Sequence, residues 1–404
     1  MMRYARLFVF LVCATCFAQQ PDRDAGKALD AELSALQEKG FFNGFSVAIA
    51  NADGTLYTKG FGSSDVASGK PYTSKTIQNI ASVSKTVVGI AIMKAQEMGK
   101  LKLDDDINLY LPFKVSNPSF PNVPITLRQL ATHTSSIVDT DAYLNHNYFL
   151  KPDQNLDGLP LSHEDQKFIP RSQAMTLENY LKAVLTPDGK YYADDVYVGK
   201  PGETYDYSNT GTALAAYVVA QAVGVPFGTF TEKHIMKPLR MNASGWGFSM
   251  VDSKSYSRLY ANPATPLPFY ELTTYPDGNF VTSADDMSKF ISELINGYQG
   301  KGKLLSKASY AEYFRPQLDD AKFKNRNQKN PYSESYNVGI FIGFGPTGLI
   351  GHTGGDPGVS SLMFIDPKTK IGRYVIVNTN FTNKEGQKAF YEIIDILAKY
   401  QDRL

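Results

Sequence analysis

The stretch "NIASVSKTVVGIAIMKAQEMGKL", residues 79–101, decides how this chain is read. Its apolar positions recur at helical spacing, which predicts one long helix, and its front carries Ser82, Ser84 and Lys85. Either serine suits a helix cap, because a short hydroxyl side chain satisfies the first unpaired amides. Ser82 and Lys85 are three positions apart and share a face, with Val83, Val87 and Val88 turned elsewhere. A hydroxyl at the positive end of the helix dipole favours an oxyanion beside it, and burying the lysine makes its amine a usable base. A capped helix with a surface lysine explains the stretch equally well. The rest of the chain has to decide.

Upstream, the chain opens "MMRYARLFVFLVCATCFAQQPD". Arg3 and Arg6, the apolar run 7–17 and the residues up to Ala18 read as a signal peptide over 1–18, cut between Ala18 and Gln19. A lipid anchor on Cys13 or Cys16 is the alternative. No later run approaches the roughly 20 apolar residues of a membrane span, so no integral membrane segment is expected. The cut removes both cysteines, and with them any disulfide, thiol nucleophile or thiolate ligand. The remaining 39 basic and 40 acidic residues are mixed along the chain, with no basic tail to predict nucleic acid as a partner.

The remaining 386 residues exceed what one hydrophobic core usually organises, which predicts two lobes. Residues 24–38 carry Leu29, Leu33 and Leu36 at helical spacing. Residues 45–50 and 55–61, joined at Asp53-Gly54, read as a hairpin. Near the other end, "YNVGIFIGFG", "GLIGHTGGDPGVSSLMFIDPKTK" and "RYVIVNTNF" read as strands, followed by a helix over 384–400. The expected fold class is α+β. Residues 19–105 and 271–404 form a lobe with an antiparallel sheet flanked by the terminal helices, and 106–270 form an inserted, mostly helical lobe. A site is expected in the cleft between them, shaped by the stretches 140–200 and 310–335.

Two further segments carry chemistry-bearing residues. In "PGETYDYSNTG", residues 201–211, Tyr207 and Asn209 precede an apolar helical run over 210–223. A phenol there can shuttle a proton and an amide can hold a carbonyl; a capping loop with a buried tyrosine is the plain alternative. In "GHTGGDPGVSS", residues 351–361, His352, Thr353 and Gly354 open an expected strand. Gly355 can offer a bare backbone N–H to an oxyanion, together with that of Ser82; a glycine-rich hairpin with a structural histidine is the alternative.

Taken in order, Ser82-Val83-Ser84-Lys85, Tyr207-Ser208-Asn209 and His352-Thr353-Gly354 resemble the three motifs of the serine beta-lactamase and penicillin-binding protein superfamily. The chain is most similar to the branch of class C beta-lactamases, DD-carboxypeptidases, D-aminopeptidases and esterases. Flanking text resembles that branch too: "LRQLATHTSSI" at 127–137 and "DGNFVTSADDMSKF" at 277–290. The resemblance implies the beta-lactamase/transpeptidase fold and an acyl-enzyme on Ser82 rather than Ser84. It further implies Lys85 and Tyr207 as its proton partners, and Asn209 holding Lys85 and a substrate amide. His352, Thr353, Gly354 and Gly355 would line the substrate, with the N–H groups of Ser82 and Gly355 as the oxyanion hole.

No cofactor is expected, and the five histidines show no metal-ligand spacing. His133 is read as bracing the helical lobe. The partner is a small molecule or peptide with an amide or ester carbonyl; oligomeric state is not legible. The reading favours a DD-peptidase-like enzyme on D-amino-acid or cell-wall-type peptides, with a carboxylesterase, a true beta-lactamase and a non-catalytic penicillin-binding-like sensor as alternatives. Three departures stand out. His352 replaces a lysine that would keep a fixed charge, and Ser136 and Arg240 stand where relatives commonly have glycine.

Overall fold

A hairpin near the start of the chain seeds the main sheet. Gly44–Asn51 and Gly54–Asp65 pair antiparallel, and the turn is closed by Asn51, whose Oδ1 accepts from the N–H groups of Asp53 (2.9 Å) and Gly54 (3.1 Å). This is a computed structural model that describes residues 23–322, 326 and 328–404. The expected signal peptide, with Cys13 and Cys16, lies outside the described residues, as do residues 323–325 and 327 of the 310–335 stretch.

The strands Ile350–Asp356, Val359–Asp366 and Ile371–Val377 form a meander whose last member pairs with Gly44–Asn51, Phe45 opposite Val377. Short pieces, Asn337–Val338 with Gly343–Phe344 on one side and Lys70–Pro71 on the other, complete eight antiparallel strands. Strand alternation sends Phe45, Val47 and Ile49 to one face and Ala48 and Ala50 to the other. The first face is covered by the helices Arg23–Gln37 and Lys384–Tyr400, through Leu29, Leu33 and Leu36 and through Ile393, Ile394 and Leu397. Each such side chain removed from water stabilises the fold by roughly 1.5–3 kcal/mol. The small alanines leave room on the other face for the helix Ala284–Tyr298.

Between these sheet elements the chain builds helices, among them Leu127–Ala131, Leu177–Leu185 and Asn209–Val223, with short strand pairs such as Tyr148–Leu150 against Tyr270–Leu272. Among the described residues no single helix is long and apolar enough to cross a membrane. One bent pair, Asn209–Val223 with Phe227–Leu239, passes by composition. Asn209–Val223 is apolar because it is a core helix, buried against Ser84–Glu97.

The opening stretch departs from the single helix its periodicity predicts. Gln78–Asn79 is a strand, paired with Val281 and Thr282. Ala81–Val83 is a single 3₁₀ turn, and the α-helix proper runs only over Ser84–Glu97. Pairing with the 280–282 strand overrides helix propensity at Asn79, and Ala81 then takes φ +48°, which an α-helix cannot contain. Helical from there, the segment is apolar on every side because every side is covered, with Val87, Val88, Ile90 and Ile92 all fully buried.

Two of the sequence departures have a backbone reason. Ser136 and Arg240 adopt φ +68° and +55°, in the left-handed region where a Cβ is costly and glycine is not. Arg240 is exposed; its N–H donates to the Lys237 carbonyl at 3.1 Å and its own carbonyl accepts from Lys289 Nζ at 2.7 Å, both main-chain bonds that glycine keeps. Arg240→Gly should therefore raise unfolding stability by about 0.5–1 kcal/mol, read as a higher urea midpoint at unchanged m-value.

Candidate active site

Ser82 sits on the 3₁₀ turn, immediately after the left-handed Ala81, partly open to solvent. A non-glycine residue held in that region costs of order 1–3 kcal/mol, strain the surrounding core must hold in place. Lys85 follows one turn later and is fully buried. Its Nζ lies 3.0 Å from Ser82 Oγ, 2.7 Å from Asn209 Oδ1 and 2.8 Å from the carbonyl oxygen of Asp277. The last two partners can only accept. A neutral amine therefore spends two N–H bonds on them and turns its lone pair to the remaining direction, toward the Ser82 hydroxyl. Burial lowers the lysine pKa and favours that neutral form, while the carboxylates of Asp277, Asp139, Asp356 and Glu334 pull the other way. Ser84 is turned from the cleft: fully buried, its Oγ accepts from the N–H of Phe280 at 3.2 Å.

Tyr207 and Asn209 reach the same point from the start of the Asn209–Val223 helix. Ser208 caps that helix, its Oγ accepting from Gly211 N–H at 2.8 Å. Lys85 Nζ stands 5.0 Å from the centre of the Tyr207 ring. Burial holds the Tyr207 phenol well above its ordinary range, so it stays protonated, and a hydrogen bond with Ser82 offsets part of that shift.

Two residues fix this loop. His133, in the left-handed region at φ +55°, stacks on Tyr207 at 4.5 Å between ring centres and accepts through Nδ1 from Ser208 N–H at 3.1 Å. It thus braces the tyrosine loop itself, from within the helical lobe. Asp139 receives Asn209 N–H (3.0 Å) and Nδ2 (2.8 Å) on one oxygen and Thr210 N–H (2.8 Å) on the other. With Nδ2 bound to Asp139, Asn209 has to present Oδ1 to Lys85. Asp139→Ala should lower unfolding stability by about 1–3 kcal/mol, by removing a charged acceptor from a helix start, and should lower kcat through the freed amide. Denaturation and steady-state kinetics on one preparation check both.

The third segment is the strand Ile350–Asp356, which runs beside the Ala81–Val83 turn. Close approach explains Gly354: a Cβ there would fall 2.6 Å from Ile80 O and 3.0 Å from Ser82 N. Gly355, next along, is exposed and opens to the cleft beside Ser82. The buried His352 has its Nδ1 2.5 Å from the Thr353 carbonyl, a contact that requires Nδ1 to carry the proton. Burial also lowers the His352 pKa, so the strand brings no fixed cation to the cleft. Thr353 instead donates its hydroxyl to Glu334 Oε2 at 2.8 Å.

Around Ser82 the cleft has two sides. The larger, about 710 Å³, holds Asn209, Gly355, Asp356, Asp277 and tyrosines from the 140–200 stretch. The smaller, about 380 Å³, lies beyond Tyr207 and Thr353 and is closed by Glu334 from the 310–335 stretch. The eight residues singled out in the sequence gather around Ser82, but His352 is buried and, unlike Thr353, Gly354 and Gly355, lines neither side of the cleft. Sequence reasoning did not find Asp139, Asp277, Asp356 or Glu334. Asp139 stands two residues past the "THTSSI" flank, the one signal pointing to it. Among the described residues no group of His, Cys, Asp or Glu is arranged to hold a metal ion.

Comparison with known proteins gives the family and the fold. The family model described as Beta-lactamase matches residues 29–398. Protein flp of Staphylococcus aureus is 23% identical over 401 residues, spanning 94% of this chain and 70% of flp. The octameric penicillin-binding protein homologue from Pyrococcus abyssi superposes with a TM-score of 0.70 at 24% identity, over 92% of this chain and 77% of that one. D-amino acid amidase from Ochrobactrum anthropi SV3, complexed with L-phenylalanine, gives 0.68 at 20% identity, over 93% and 99%. At these identities the two structures speak to the fold, a mixed α+β fold with an antiparallel sheet.

Proposed function

The chain belongs to the beta-lactamase family, and from that premise we propose a serine hydrolase that works through an acyl-enzyme on Ser82, cleaving amide bonds of D-amino-acid or cell-wall-type peptides. The observation that carries the reading is the buried amine of Lys85, with acceptors filling two directions and the Ser82 hydroxyl in the third. In this scheme Ser82 Oγ attacks the carbonyl carbon as its proton passes to Lys85 Nζ. The N–H groups of Ser82 and Gly355 take the oxyanion. Tyr207 relays a proton from Lys85 to the leaving nitrogen, accepting one as it gives one, so its high pKa is no obstacle. Water then enters where the leaving group was, and the same pair returns the proton during deacylation.

An amidase reading is supported by the likeness in fold to D-amino acid amidase, and a cell-wall reading by that to a penicillin-binding protein homologue. An exported enzyme fits both, and the pattern of residues 1–18 supports export. The deciding experiment is a hydrolysis panel with a D-amino-acid amide, a D-Ala-D-Ala peptide, short-chain p-nitrophenyl esters and nitrocefin, with intact-mass detection of an adduct on Ser82. The amide or peptide should give the highest kcat/KM. A preference for nitrocefin makes the protein a beta-lactamase, a preference for esters an esterase. An adduct that never turns over makes it a sensor.

A further inference from the structure

We propose that the larger pocket selects substrates with a free ammonium group on the acyl side of the scissile bond, and that Asp356 is the carboxylate that receives it. The proposal rests on the Ser82 acyl-enzyme reading and names the end of the substrate that the site recognises.

Asp356 directly follows Gly355, and both line the larger pocket together with Ser82. The carboxylate is held in place rather than free: Oδ1 accepts from Tyr148 Oη at 2.9 Å and Oδ2 from Asn79 Nδ2 at 3.4 Å. It also lies against Gly278, where a Cβ would come 3.0 Å from Oδ2. Both bonds come from neutral groups, and the cation that acts on it is the buried Lys85.

The same pocket holds Asp277, only 1% exposed, whose Oδ1 accepts from Tyr143 Oη at 3.3 Å while Oδ2 has no hydrogen-bond partner among the described residues. Burial holds the Asp277 carboxyl well above its ordinary range and favours its neutral form, which leaves Asp356, of the two, as the carboxylate of this side. No lysine or arginine is among the described residues lining either side of the cleft. Lys85, behind Ser82, is engaged with Ser82, Asn209 and Asp277.

The smaller side is negative as well, because Glu334 lines it and accepts from the Thr353 hydroxyl. A substrate carboxylate therefore meets carboxylates on both sides. An ammonium meets Asp356, in a pocket also lined by Tyr143 and Tyr148. Burial pushes the Asp356 carboxyl up to about 7, and an ammonium neighbour is what would keep it ionised.

The test compares D-phenylalanine p-nitroanilide with its N-acetyl form, the same scissile bond with and without the charge, in wild type and Asp356→Asn. The ratio of kcat/KM values is read within each protein, so a general loss of activity cancels. Wild type should favour the free amine by about 10- to 100-fold, and Asp356→Asn should bring the ratio close to one. A wild-type preference for the N-acetyl form, or a ratio unmoved by the substitution, overturns the proposal.

A second measurement needs no variant. Phenethylammonium should inhibit hydrolysis of p-nitrophenyl acetate at a concentration at least about tenfold below 3-phenylpropionate; equal or reversed potency overturns the proposal. If p-nitrophenyl acetate leaves no adduct on Ser82 and is not hydrolysed, the acyl-enzyme reading has failed instead.

Discussion

Ser82→Ala will remove hydrolysis of p-nitrophenyl esters and of any amide the panel identifies, with kcat falling by about 10⁴- to 10⁶-fold, while the fold persists. The size of the loss follows from what stays behind. The backbone N–H groups and the acyl pocket remain, so residual rate enhancement comes from binding and oxyanion stabilisation alone. The fold persists because Ser82 is partly exposed and Lys85 keeps its bonds to Asn209 and Asp277. Paired measurements settle it: kinetics with intact-mass spectra after substrate addition, and thermal unfolding of the same sample. A variant retaining more than about 1% of wild-type kcat would place the nucleophile elsewhere.

Lys85→Met is the second large effect. A methionine fills the buried volume but has no lone pair to take the serine proton, so kcat should drop by about 10²- to 10⁴-fold. It also strips Asn209 Oδ1 and the Asp277 carbonyl of a donor, which costs about 1–3 kcal/mol each, offset in part because no amine is then desolvated. The pH profile distinguishes the base from a mere brace. Only the neutral amine accepts a proton, so activity is full above the Lys85 pKa and falls as pH drops through it. Burial places that acid limb below the ordinary lysine value of 10.5. In Lys85→Met the limb should vanish from the residual rate. In Asp356→Asn, where a nearby negative charge is gone, the ammonium is less favoured and the limb should move to lower pH.

Much of this was legible in the chain because the chemistry is carried by short segments with distinctive residues. Serine, lysine, tyrosine and histidine in three motifs needed only the fold to bring them together. The sheet was legible for a similar reason, since Phe45, Val47 and Ile49 alternate and the last helix carries a clear apolar stripe. What stayed hidden depends on partners distant in sequence. Ala81 is a good helix former inside a helical pattern, and only the strand pairing of Asn79 forces it left-handed. Asp356 reads as a turn residue in "GGDPG", and Asp277 as one in "PDG". Their meaning comes from Tyr148 and Tyr143, contributed by another part of the fold. Glu334 sits in a polar loop with no pattern at all. An aspartate that lines a catalytic pocket and one that caps a surface turn are spelled the same.

The main sheet interleaves the two ends of the chain, and this has a consequence for when activity can arise. Ser361 Oγ donates to Ile80 O across 281 residues of sequence, and Gly44 N–H donates to Asn378 Oδ1 across 334. As the protein is made from its N-terminus, Ser82 and Lys85 emerge long before the strand that brings Gly355 beside them. No nascent or truncated product lacking residues 350–377 can assemble the proposed oxyanion hole, so such a product should be inert whatever its length. Contacts this distant also make folding slow, because the closing strands must find a hairpin formed much earlier. A hydrolase ordered this way is switched on by the completion of its own fold.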